Sequence, residues 1–278
     1  MTSAGFVERT FQLISGVGGW RERDLWARGI ANWSDFEAAA KQGVVMSTKL
    51  DGPLLERIAE ARVALEARDL AALARLVPAR EHWRLYPDFS EQAAFFDIEA
   101  DGENVPTVVG VMDRAGLASF RRNRTMHLVP ARLEQSPIWV TFNGAVFDVP
   151  VLRHTFETFP SPLVHLDLRF LVRRTHLKGG LKGIEEALHL HRPPHLKGLK
   201  GFDAIRLWRE WTFNHRLDAL RILIEYNLFD AINLRSVLEW TMWRCADLYA
   251  WDVERRPIFE RGDVQYDLSR LVLAEEGL

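Results

Sequence analysis

Two acidic residues directly follow an apolar run in the segment Ala93-Ala-Phe-Phe-Asp-Ile-Glu99. Successive side chains of a β-strand point to opposite faces, so Asp97 and Glu99 would lie side by side if this segment is a strand. Like charges at this separation repel each other. A buried pair therefore needs either a cation between the two carboxylates or a proton on one of them.

Two later acidic residues, Asp148 and Asp230, lie in segments that are expected to be helical. Asp148 follows a strand-and-turn segment and is expected near a helix N-terminus, where it could simply cap the helix. Asp230 lies four residues after Tyr226 in a helical segment, so these two side chains share one helix face. Each acid alone has a plain structural explanation, but the three positions together favour a functional cluster.

These positions resemble the three exonuclease motifs of the DEDD superfamily, the ribonuclease-H-like, DnaQ-like 3′–5′ exonucleases. The tyrosine four residues before the last aspartate is typical of the tyrosine branch. The chain most closely resembles the YprB-like predicted exonucleases, and the resemblance covers about residues 92–240. The matching segments are Asp97–Glu99, Phe142–Pro150 (FNG-x-x-FD-x-P), His165–Leu168, Gly180–Lys182 and Tyr226–Asp230.

The resemblance implies hydrolysis of DNA or RNA from the 3′ end with two Mg²⁺ or Mn²⁺ ions. Asp97 would bridge both ions, Glu99 and Asp230 would complete one site, and Asp148 would support the other. Tyr226 would orient the attacking water. Carboxylate oxygens are the ligands that these ions prefer.

Two residues leave details of this resemblance open. Ala100 follows Glu99 where exonucleases of this group often carry threonine, which puts a contact to the terminal nucleotide in doubt. Asp167 also recurs in the resemblance, and it either supports a metal ligand or serves only the local structure.

The pattern of apolar residues predicts an α/β fold in which a mixed β-sheet is flanked by helices, and the resemblance implies that this sheet is ribonuclease-H-like. We expect a small all-α domain over residues 1–85, with an amphipathic helical stretch at 53–76, and the exonuclease domain over residues 88–278. The segment around Gly16-Val17-Gly18 resembles a helix-hairpin-helix element, whose glycine hairpin either contacts phosphates or only packs helices together.

The charge distribution favours a polyanionic partner. The chain has a net charge of −2, but residues 121–201 contain 13 Lys and Arg against 6 Asp and Glu. We expect the basic segments 121–124 and 169–201 to steer single-stranded DNA or RNA toward the carboxylates. The expected substrate contacts are Asn143, Arg173, Arg174, Lys178 and Lys182.

The composition is that of a globular protein, with 47% hydrophobic and 27% charged residues and a single cysteine, Cys245. No apolar run approaches the ~20 residues needed to span a membrane, and the first residues lack a signal-peptide pattern, so we expect a cytoplasmic protein. Its oligomeric state is not predicted. Two alternative functions stay open: a non-catalytic nucleic-acid-binding or scaffold protein that keeps the fold, and an endonuclease of the same fold.

Overall fold

The structure, a computed structural model, describes residues 5–253 and divides them into two compact units. One unit comprises Glu91–Thr241, and the other comprises the described residues before Glu91 together with those from Met242 onward. The domains expected at 1–85 and 88–278 include residues 1–4 and 254–278, which lie outside the described part of the chain.

Helices make up most of the N-terminal part. They are α1 (Gly19–Ala27), α2 (Trp33–Ala40), α3 (Asp51–Glu66), α4 (Leu70–Leu76) and α5 (Tyr86–Phe89). The helical stretch expected over 53–76 is broken in two because Arg68 adopts a left-handed conformation with φ of 53°. Asp69 then caps α4 by accepting the backbone N–H of Ala72 at 2.9 Å.

The glycine hairpin Gly16-Val17-Gly18 lies immediately before α1, and Gly18 is the N-cap residue of that helix. Before the hairpin, the described chain forms the 3-10 helix Val7–Arg9 followed by turns. The helix-hairpin-helix interpretation is therefore missing its first α-helix within residues 5–253. Whether the hairpin binds nucleic acid stays a prediction.

The second unit contains a mixed β-sheet, as predicted. Its described strands are β1 (Ala93–Ala100), β2 (Pro106–Asp113), β3 (Gly116–Arg121), β4 (Ile138–Thr141) and β5 (Val164–Asp167). Their order across the sheet is β3-β2-β1-β4-β5. Strand β1 pairs antiparallel with β2 and parallel with β4, so the strand with the paired carboxylates is the central one.

Helices cover both faces of this sheet. They are α6 (Val129–Glu134), α7 (Asp148–Thr155), α8 (Leu168–Leu171), α9 (Leu181–Ala187), α10 (Gly201–Asn214) and α11 (Leu217–Leu248). On one face, Phe96 of β1 shares an apolar core with Leu133 of α6 and Leu152 of α7. On the other face, Val108 of β2 shares a core with residues of α10 and α11 such as Leu223. None of the helices within residues 5–253 has both the length and the apolar composition needed to cross a membrane.

Candidate metal centre

Strand β1 presents Asp97 and Glu99 to the sheet face that α11 covers. The two residues lie opposite Gly110 and Val108 of β2, and directly opposed residues share a face. Val108 belongs to the apolar core that α10 and α11 help to form, so both carboxylates point toward these helices. Glu99 is buried and Asp97 is partly buried. The strand and its alternation are those expected from the sequence.

Helix α11 brings a third carboxylate to this pair. Asp230 is buried and follows the buried Tyr226 by one helical turn. One carboxylate oxygen each of Asp97, Glu99 and Asp230 lies within 4.8 Å of the other two. Three oxygen ligands at this spacing fit a hard divalent cation such as Mg²⁺ or Mn²⁺. The donor set therefore matches the metal that the sequence resemblance implies.

The two carboxylates of β1 lie in an electrostatically unfavourable place. Burial raises the pKa of both Asp97 and Glu99 well above the usual range, and the negative charge of Asp230 raises it further. The ammonium of Lys182 opposes this shift at both residues. A cation or a proton is thus needed to hold the three acids together. The sequence sets the same requirement, because it places Asp97 and Glu99 on one face of a buried strand.

Asn227 fixes the carboxylate of Asp97. This fully buried residue of α11 donates from Nδ2 to the backbone oxygen of Asp97 at 3.0 Å and to its Oδ2 at 2.9 Å. The approach is possible because Gly110 lies opposite Asp97: a Cβ atom at Gly110 would stand 2.6 Å from Asn227 Oδ1. A glycine inside a strand often marks such a close approach.

Asp148 is linked to β1 by a hydrogen bond to the backbone of that strand. It is buried in the first turn of α7, and its Oδ1 accepts the backbone N–H of Ile98 at 3.2 Å. This N–H lies beyond the end of the β1–β4 pairing, which stops at Phe95 and Val140. Burial raises the pKa of Asp148 to about 7, although the hydrogen bonds from the backbone oppose the shift. Asp148 is near the cluster but does not belong to the group of three oxygens within 4.8 Å.

Asp167 organises the loop that leads from β4 to Asp148. Its carboxylate accepts the backbone N–H groups of Asn143 at 2.8 Å, Ala145 at 3.1 Å and Arg169 at 3.0 Å. The guanidinium of Arg169 also donates to Asn143 Oδ1. Asp167 thus serves the local structure of the loop.

Two basic side chains neutralise Asp230. Lys182 Nζ lies 2.5 Å from Oδ1 and 2.9 Å from Oδ2 of Asp230, and 4.1 Å from the ring centre of Tyr226. Arg192 donates from Nη2 to the same Oδ1. Burial and the charge of Asp230 raise the pKa of the Tyr226 hydroxyl, which keeps this phenol protonated at neutral pH. The α11 side of the cluster therefore carries its own counter-charges.

Arg192 is held in place by a buried network. Glu185 of α9 receives two hydrogen bonds from its guanidinium, one to Oε2 at 2.8 Å and one to Oε1 at 2.5 Å. Asn233 of α11 donates to the same Glu185 Oε1 at 3.0 Å. Two parallel N–H···O bonds orient a guanidinium strongly, so Arg192 is a fixed partner of Asp230.

The other expected substrate contacts lie after β5. Arg173 is exposed on the 3-10 helix Val172–Thr175, and its guanidinium carbon is 5.7 Å from the ring centre of the exposed Phe170. Arg174 follows it and is partly buried, and Lys178 is exposed in the loop before α9. These residues precede α9, which carries Lys182, and their contacts with a substrate stay a prediction.

One residue of the basic run 121–124 contacts the connection between β1 and β2. Arg122 donates to Asp101 Oδ2 at 2.7 Å and to the backbone oxygen of Pro106 at 2.7 Å. Its guanidinium carbon also lies 5.4 Å from the ring centre of Trp208. Its charge is thus balanced at the β1–β2 connection, and the steering expected of the segments 121–124 and 169–201 stays a prediction.

Comparison with protein families identifies the superfamily. The model of the RNase_H superfamily matches residues 94–242, which is more than half of the chain. The chain belongs to the RNase H superfamily. Searches of curated proteins and of solved structures gave no match. The part matched to the RNase H superfamily begins in β1, ends in α11 and contains all four carboxylates, which indicates a nuclease-like hydrolase that acts on nucleic acids.

Sequence reasoning missed three residues of this RNase H superfamily site: Asn227, Arg192 and Glu185. Arg192 and Glu185 are separated from the acids by numbers of residues that match no recognisable motif. Asn227 had a signal, because Gly110 interrupts an apolar strand where a neighbouring group must come close.

Proposed function

We propose that this protein is a metal-dependent 3′–5′ exonuclease of the tyrosine (DEDDy) type that acts on single-stranded DNA or RNA. The observation that supports this proposal most directly is the convergence of Asp97, Glu99 and Asp230 within 4.8 Å, with Tyr226 one helical turn from Asp230. The triad offers oxygen ligands for a cation, and the tyrosine places a hydroxyl donor beside them.

The proposed cofactors are two Mg²⁺ or Mn²⁺ ions. Asp97 would be a ligand of both, Glu99 and Asp230 would complete one site, and Asp148 would support the other. When bound, the two ions would supply an activated water and would stabilise the leaving oxygen of a phosphoryl displacement. Asn227 would keep the Asp97 carboxylate in the orientation that both sites share, since it already donates to Oδ2 at 2.9 Å.

The protein's own groups would position the water and the strand. The Tyr226 phenol, a hydrogen-bond donor at neutral pH, would orient the water whose oxygen forms the new bond to phosphorus. The bond from phosphorus to the 3′ oxygen of the preceding nucleotide then breaks, which releases a nucleoside monophosphate. The basic and polar residues Asn143, Arg173, Arg174, Lys178 and Lys182 would contact phosphates, which fix the position of a strand without reading its sequence.

A labelled-strand assay tests this proposal. Single-stranded DNA and RNA carrying a 5′ label are incubated with the full chain and Mg²⁺ or Mn²⁺. We expect progressive shortening from the 3′ end by the wild type and none by Asp97→Ala, which removes the proposed shared ligand. Glu103→Ala serves as the matched control, because Glu103 is an exposed acid in the turn after β1 and should leave cleavage unchanged.

The same assay separates the alternatives. Equal trace cleavage by wild type and Asp97→Ala would indicate a contaminant and overturn the enzyme assignment. Cleavage of a circular single strand would indicate an endonuclease of the same fold. Binding of single strands without any shortening would indicate a non-catalytic nucleic-acid-binding protein.

A further inference from the structure

Lys182 contacts the Asp230 carboxylate, which is one of the three acids that could hold a metal ion. Its ammonium nitrogen bridges both carboxylate oxygens, at 2.5 Å and 2.9 Å, and lies over the Tyr226 ring at 4.1 Å. It is also close enough to Asp97 and Glu99 to act on both electrostatically. A divalent ion that uses Asp230 as a ligand would therefore enter the space and the electrostatic field of this ammonium.

The two cations at Asp230 differ in how firmly they are held. Arg192 is buried and is oriented by Glu185, which Asn233 holds in turn. The Lys182 side chain is 34% exposed and reaches Asp230 through a flexible four-carbon stem from the first turn of α9. Of these two cations, Lys182 is the one that can leave without breaking a buried network.

We propose that Lys182 competes with a divalent ion for Asp230, so that metal binding displaces the ammonium while Arg192 stays in place. This inference rests on the proposed function, because it takes Asp230 as a metal ligand. Once displaced, the ammonium of Lys182 is available to the phosphate of a strand bound at the cluster. One side chain thus neutralises the acids before metal binding and contacts the substrate afterwards.

Metal titration without nucleic acid tests the competition. The full-length wild type, Lys182→Met and Lys197→Met are dialysed against EDTA and then titrated with Mn²⁺ by calorimetry and by electron paramagnetic resonance of the unbound ion. Methionine keeps most of the stem and removes the charge. Lys197 is exposed in the loop before α10, so its variant makes the same change in net charge away from Asp230. We expect Lys182→Met to bind Mn²⁺ at least about tenfold more tightly, because a positive charge close to the ion is removed, and Lys197→Met to match the wild type.

Thermal unfolding supplies a second readout. Without divalent ions, Lys182→Met should unfold at a lower temperature than the wild type, and Mn²⁺ should raise its unfolding temperature by more, because tighter binding to the folded state stabilises it more. If Lys182→Met does not fold, Lys182→Gln takes its place, since glutamine can still donate to Asp230 but carries no charge.

The outcomes separate this inference from the proposed function. Wild type that binds Mn²⁺, with unchanged or weaker binding in Lys182→Met, would overturn the competition alone. Wild type that binds no Mn²⁺ at all would overturn both the metal centre and the inference. Equal tightening in Lys182→Met and Lys197→Met would show a general charge effect and would also overturn the competition.

Discussion

Gly110→Ala should disturb the candidate metal centre by displacing Asn227, which contacts both Gly110 and Asp97. Gly110 lies opposite Asp97, and its missing side chain leaves room for Asn227 to reach that carboxylate. A Cβ atom would stand 2.6 Å from Asn227 Oδ1, and 3.3 Å from both the Asn227 backbone oxygen and Leu228 Cδ2. Since Asn227 is fully buried, its amide can escape the overlap only by moving away from Asp97.

The expected change in the free energy of unfolding combines two destabilising contributions and one stabilising contribution. Overpacking of a buried site costs about 1–3 kcal/mol. Loss of the hydrogen bond from Asn227 to the Asp97 carboxyl group costs about 0.5–1.5 kcal/mol. Replacing a strand glycine by alanine returns about 0.5–1 kcal/mol of backbone entropy. We expect Gly110→Ala to lower the free energy of unfolding by about 0.5–4 kcal/mol, and to lower turnover because Asp97 loses its fixed orientation.

Urea unfolding of a double-mutant cycle checks this reasoning. If the overlap is with the Asn227 amide, Asn227→Ala removes the obstacle, so the combined variant should be at least about 1 kcal/mol more stable than the sum of the two single effects predicts. Gly183→Ala is the matched control: it lies inside α9, and among the described residues no atom beyond its chain neighbours and the adjacent backbone of α9 lies within 4 Å of its Cβ position. That control should stabilise the protein by up to about 1 kcal/mol. Additive effects in the cycle, or a Gly110→Ala variant within about 0.5 kcal/mol of wild type, would refute the clash.

Two further predictions concern Tyr226 and Asp148. Tyr226→Phe should lower turnover by about tenfold or more, since the water loses its orienting hydroxyl, while calorimetry should find unchanged Mn²⁺ affinity; equal turnover would remove Tyr226 from the mechanism. In EDTA, the free energy of unfolding should fall as the pH rises from ~4 to ~7, because folded Asp148, with a pKa of about 7, keeps a proton in this range that the unfolded chain has released. The raised pKa values of Asp97 and Glu99 contribute a slope of the same sign. Asp148→Asn should therefore make the slope less steep in pH-dependent urea unfolding, and an unchanged slope would show that Asp148 does not contribute to it.

The fold and the strand-borne acids could be predicted because local patterns decide them. The apolar run before Asp97 and the alternation to Glu99 determine a buried strand and the face that its acids share, and the structure has this strand at Ala93–Ala100. The spacing of Tyr226 and Asp230 likewise needs only helical geometry. Local pattern did not show the break inside 53–76, where Arg68 turns the chain between α3 and α4.

The charge balance of the site could not be predicted in the same way. Lys182 and Arg192 precede Asp230 by 48 and 38 residues, and only the tertiary fold brings α9 and its following loop to α11. Motif spacing therefore identifies the acids that metal chemistry requires, but not the cations that balance those acids in the folded protein. This difference matters for function: Asp230 has two counter-charges of its own, whereas burial and the charge of Asp230 raise the pKa of Asp97 and Glu99. The need for an external cation is thus greatest on the β1 side of the cluster, where the two neighbouring acids of the sequence stand.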